Sequence, residues 1–203
     1  MTQVTLPRWM RLLRGGAVVL ALLVALASYR FLAMPLAMAF TDMAPLIEGA
    51  RIGFLAHIIA APIVLALGAF QLMPNLRARR PKLHRVFGRV SVAAMVIGGA
   101  GAVMMAPHAN GGIVSTLGFG LLALLWMGCA LMGVWAVRRR DFAAHRRFMI
   151  RGYSLTFAAV VLRLELGGMM GFGMTYVDAI RILSWASWVP LLILAELWLR
   201  RAP

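Results

Sequence analysis

A single cysteine, Cys129, stands in the 203 residues, so neither a disulfide framework nor a cysteine-based metal site can be built. Acids are almost as scarce, six against twenty-one Lys and Arg. A proton-coupled carrier ordinarily needs an acid near the membrane midplane, and only Glu165 is close to such a position. Hydrolase motifs are missing: there is no Gly-x-Ser-x-Gly, no His-Glu-x-x-His and no phosphate-cradling loop, and Ser154 near His145 lacks an orienting acid. Neither internal repeats, low-complexity tracts nor the paired broken helices of transporters are evident.

What is abundant is apolar. The chain is 63% hydrophobic and 13% charged, the composition of an integral membrane protein, with no room for a large soluble domain beside the crossings. Seventeen of the basic residues fall in four clusters: Arg8, Arg11 and Arg14; Arg77 to Arg89; Arg138 to Arg151; and Arg200 with Arg201. A membrane-spanning helix needs about 20 mostly apolar residues. The sequence predicts an all-α, polytopic transmembrane bundle forming a single integral membrane domain. Its six crossings are expected at about 15–34, 52–73, 86–106, 113–137, 152–174 and 179–199. Residues 1–27 also have the layout of a signal peptide with an Ala25-Leu26-Ala27 cleavage site, and its removal would leave five crossings.

Six crossings put all four basic clusters on one side. Basic residues accumulate in short cytoplasmic loops, so the expectation is a bacterial inner (plasma) membrane protein with both termini cytoplasmic. That pattern accounts for the net charge of +15 without nucleic acid, and suits the inner face to anionic lipids of the bilayer. Glycines at 98, 99, 101, 118, 120, 128, 133, 167, 168 and 171 are expected at close helix approaches, and Pro62 and Pro190 at bends.

Polar groups inside an apolar chain are costly and therefore informative. His145 and Arg163 are 18 residues apart, five helical turns, and share a helix face with Gly152 and Thr156. Arg163 must point into the bundle. His57, about 9 Å inside the outer end of its crossing, lies at nearly the same depth. An outer-half polar site of His57, Arg163 and Thr156 is expected, within reach of Glu165. Tyr153 belongs to the same polar set, and Gln71 continues the seam inward. At the inner edge, His84 and His145 each sit in a basic cluster, while His108 reads as a loop residue. The bland alternative is that these groups only hold helices together.

The segments Arg80-Pro81-Lys82-Leu83-His84-Arg85 with Gly88-Arg89, His145-Arg146-Arg147-Phe148-Met149-Ile150-Arg151-Gly152-Tyr153, and Thr156 to Val160 with Leu162-Arg163 carry a resemblance. From His57 to Arg163 the chain resembles the bacterial predicted membrane proteins of domain-of-unknown-function family 2306, which usually have Trp where Phe148 stands. The resemblance implies that His57, Gln71, His84, Arg85, Arg89, His145, Arg146, Arg151, Tyr153 and Arg163 are the functional positions. It supplies no activity and no catalytic residue.

Three functions remain open. A b-type haem could be held by His84 and His145 as iron ligands, with Arg85, Arg89, Arg146 and Arg151 on its propionates and a quinone or other redox partner. Alternatively, the protein handles anions or lipids as a carrier or binding protein, using the arginines and the His57–Arg163 site. The third is a structural or assembly factor.

Overall fold

The computed structural model describes residues 7–71 and 74–201, and among these there is no strand. The helices are α1 (Arg8–Ser28), α2 (Leu36–Ala39), α3 (Ala44–Gly49), α4 (Arg51–Gln71), α5 (Pro74–Arg79), α6 (Pro81–Met105), α7 (Ile113–Arg138), α8 (Phe142–Gly171), α9 (Tyr176–Ala186) and α10 (Val189–Arg201). Six segments are long and apolar enough to cross a membrane: 8–32, 51–71, 81–108, 113–138, 142–171 and 176–201. The expected second crossing ran to residue 73, and its last two positions lie outside the described residues.

Two helices run further into the basic clusters than their apolar stretches do. α6 starts at Pro81, where a missing N–H costs nothing in the first turn. α8 starts at Phe142 and is capped by Asp141, whose carboxylate accepts from the Ala144 N–H at 2.9 Å. Arginine is a good helix former, so the clusters prolong the helices rather than end them. His145 and Arg163 consequently lie on one continuous helix.

α4, α6, α7 and α8 pack as a four-helix ring, each against the next, with α1 laid on α4 and α8, and α9 and α10 on the α7–α8 side. The ring closes on Val64, Met95, Trp126, Ala130 and Leu155, which Trp188 joins from between α9 and α10. α1 is seated through Ala21 and Ala25 on Leu65 and Val160, small residues that bring it close. Because each crossing reverses the last, the arginine-rich segments gather at one end of the bundle. The opposite end carries residues 29–50, 106–112 and 172–175.

The expected bends resolve differently. α4 passes through Pro62 without interruption, whereas the last crossing breaks at Ser187 and Trp188. Pro190 is then the second residue of α10, where its lack of a donor is harmless. Nor are all the glycines at close approaches. A Cβ on Gly128, Gly167, Gly168 or Gly171 would meet nothing within 4 Å, so those four contribute no helix contact.

Candidate functional site

At the end away from the arginine clusters, the bundle encloses a cavity of about 450 Å³, within the range of small-ligand sites. Its walls are mostly apolar, with Phe54 and Pro62 from α4, Trp126 from α7 and Leu155 from α8. Residues 29–50 fold across its outer end, where Arg30 Nε donates to Ala39 O at 2.8 Å and the guanidinium stacks 4.2 Å from the Phe40 ring centroid. Phe40 meets Phe54 edge-on at 5.0 Å, and Asn110 Nδ2 donates to Asp42 O at 2.7 Å. This segment is thus tied down at both α4 and the 109–112 loop.

His57, Thr156 and Arg163 all line this cavity. His57 Nδ1 lies 2.9 Å from Gly98 O, and since a carbonyl only accepts, the ring donates there and Nε2 is the acceptor nitrogen. The imidazole meets Trp126 edge-on at 6.3 Å. Trp126 Nε1 donates to Thr156 Oγ1 at 2.8 Å, and the Thr156 hydroxyl donates to Gly152 O at 2.8 Å. These bonds fix one wall across four helices. They leave Thr156 with its donor used, in line with its burial.

Arg163 is different. Its Nη1 donates to Ala159 O at 2.9 Å and its Nη2 to Ser28 Oγ at 3.3 Å, both neutral acceptors. A guanidinium has five N–H donors, so three have no protein acceptor among the described residues. No carboxylate lies within ion-pair distance, because the two ion pairs among those residues are Arg151–Glu196 and Arg181–Asp178. Glu165 does not line the cavity, and its Oε2 is buried without a partner. Arg163 is exposed by surface area, and its side chain lines the cavity while reaching Ser28 of α1. The cavity's charged lining is therefore Arg163 and Arg30 against Asp42, a net positive balance.

Gln71 and Tyr153 belong elsewhere. Gln71 Nε2 donates to His84 O at 2.7 Å, joining α4 to α6 toward the arginine-rich end, and Tyr153 packs its ring on Gly68. His108 lies against Gly49 at the opposite end.

The arginine-rich end brings His84 and His145 within electrostatic reach of each other from α6 and α8, which face one another across the ring. His145 Nδ1 lies 2.9 Å from Gly133 O, while His84 Nδ1 is buried without a partner. Neither histidine lines the cavity described above. Arg85 and Arg89 are exposed. Arg146 stacks 5.1 Å from the Trp198 ring centroid, and Arg151 is already committed to Glu196 through Nε to Oε1 at 2.5 Å and Nη2 to Oε2 at 2.9 Å.

The Arg151–Glu196 pair is a functional-looking contact that the sequence reading missed; the available signal was a carboxylate alone among apolar residues one turn before Arg200. It latches α10 onto α8. Glu196→Gln should lower unfolding stability in mixed micelles by about 1–2 kcal/mol, since both side chains are only partly buried. Adding Arg151→Ala should then cost little more, and fully additive losses would show the two act separately.

A family model described as predicted membrane protein (DUF2306) matches residues 54–199. No curated protein and no solved structure matches the chain.

Proposed function

Since the chain belongs to the DUF2306 family of predicted membrane proteins, we propose that it is an integral membrane binding protein or carrier for amphiphiles with an anionic head. The observation that supports this reading is the unpaired Arg163 guanidinium on a mostly apolar cavity. A charge at such depth costs about 3 kcal/mol or more, and a bound carboxylate or phosphate would offset that cost bidentately. The apolar walls favour a hydrocarbon tail over a small hydrated ion. On this reading the arginine-rich face is cytoplasmic in a bacterial inner membrane, and the cavity opens toward the outer leaflet.

The test is competition binding of oleate and oleyl alcohol to the purified protein in mild detergent. The two share a tail and differ in charge. Oleate should bind about tenfold or more tighter, and equal affinities would sink the proposal.

A haem between His84 and His145 is the second reading. It is favoured by the His145 Nδ1 contact, which would leave Nε2 for a metal, and by the unpartnered His84. The commitment of Arg151 to Glu196 counts against it. A Soret band lost in His84→Ala would select it.

A further inference from the structure

A second, shallower cavity lies on the outside of the bundle, between α1 and α4. This groove of about 360 Å³ is lined by Leu22, Ala25, Leu26 and Tyr29 on one side and by Pro62, Ala66 and their apolar neighbours on the other. Its α1 edge belongs to a face meant for lipid, since Leu23 and Leu26 are 58% and 73% exposed. Pro62 lines both the groove and the main cavity. On α1, Ser28 lines the cavity while Ala25 and Tyr29 line the groove; on α4, Leu65 lines the cavity while Ala66 lines the groove. One layer of side chains separates the two spaces.

Arg163 stands at that partition. It donates to Ser28, whose Cβ lies about 5–6 Å from that of Ala25, one helical turn away. The seam is held there by Tyr29 Oη, which donates to Ile59 O at 2.7 Å, and below it by apolar contacts alone, the small Ala21 and Ala25 meeting Leu65 and Val160 with Leu20 and Val24 beside them. From Tyr29 to Leu22 the groove runs about 10 Å along α1, toward the midplane of a roughly 30 Å hydrocarbon core. A lipid of the adjoining leaflet already has its head above and its tail pointing that way.

We propose that the amphiphile is a lipid of the bilayer, taken sideways between α1 and α4, with its anionic head on Arg163 and its acyl chain in the groove. This rests on the anion-head reading above and adds the route and the occupant. Charge complementarity supplies the first argument, and the nearness of an apolar groove to Arg163, across a single layer of side chains, supplies the second. The step is binding alone; no bond is made or broken.

The experiment uses full-length protein in phosphatidylcholine nanodiscs carrying a few per cent of a fatty acid with a diazirine near its tail. Photolysis should label peptides within 22–29 and 62–67. Ala66→Trp and, separately, Leu22→Trp fill the groove and should cut labelling about fivefold or more, while hexanoate, too short to need the groove, should bind within about twofold of the parent. Labelling confined to other surfaces, or unaltered by both substitutions, overturns the lateral route while leaving the head site standing. If instead Arg163→Ala retains hexanoate and the labelled fatty acid at parental levels, the head site itself is wrong.

Discussion

Arg163→Ala should weaken oleate binding by about 100-fold while leaving the unliganded protein as stable as the parent, or more so. Two charge-assisted hydrogen bonds to one carboxylate contribute about 1.5–3 kcal/mol each, and their partial loss of about 2.7 kcal/mol corresponds to two decades in affinity. Arg163→Lys should fall between, since a lysine keeps the charge but not the planar fork. The stability readout separates this role from a structural one. If Arg163 existed to tie α8 to α1 through Ser28 Oγ, its removal would leave that hydroxyl without its donor and lower the unfolding midpoint. If it exists to meet a ligand, its removal takes an uncompensated charge out of an apolar setting and raises the midpoint, with a gain in unfolding free energy of about 1–3 kcal/mol. Thr156→Val supplies the contrast. It breaks the bond from Trp126 and loosens the wall, so it should cost stability with only a modest effect on affinity. A preparation in which Arg163→Ala is destabilised and binds oleate normally would refute the assignment.

The helices were legible because their cause is local. Long apolar runs punctuated by arginine specify crossings, and α1, α4, α6, α7 and α8 lie where those runs lie, as does the last crossing apart from its break. That break was not legible. Pro190 marks it, but a proline is equally at home bending a helix or beginning one, and only the packing of Ser187 and Trp188 into the core decides which. Partners across long separations were harder still. That Arg163 needs an acceptor follows from its place in an apolar run, whereas the acceptors it takes, Ala159 O and Ser28 Oγ, do not. Ser28 is 135 residues away on a helix whose seating depends on Ala21 and Ala25. The cavity is less legible again, because it is the space left when residues 29–50 fold across the bundle, and no residue type encodes a space. Helix phase and rise put Gln71 on nearly His57's face and further inward, where it lies, but they could not name its acceptor, His84 O on α6.

The glycines give the same lesson in a form that can be measured. Gly101→Ala should destabilise the protein by about 2–3 kcal/mol, and Gly101→Leu should prevent its accumulation in the membrane. A Cβ at Gly101 would press on Gly53 O, and would stand 3.0 Å from His57 N and 3.1 Å from Ala56 Cβ. The contact is mutual, since a Cβ at Gly53 would stand 2.8 Å from Gly101 O and 2.7 Å from Met104 Cβ. Backbone has no rotamer to retreat into, so α4 and α6 must separate and forfeit packing along their length. Gly128 is as conspicuous in the sequence, midway along an apolar helix, yet a Cβ there meets nothing within 4 Å. Gly128→Ala should change the unfolding free energy little, or raise it slightly through helix propensity, by up to about 1 kcal/mol. Separation of α4 from α6 would also move the Gly98 carbonyl that holds His57 Nδ1, so Gly101→Ala should weaken oleate binding as well as stability. Gly128→Ala should leave both alone. Equal effects of the two substitutions in micellar unfolding would mean that α4 and α6 are not the tight pair on which the shape of the cavity depends.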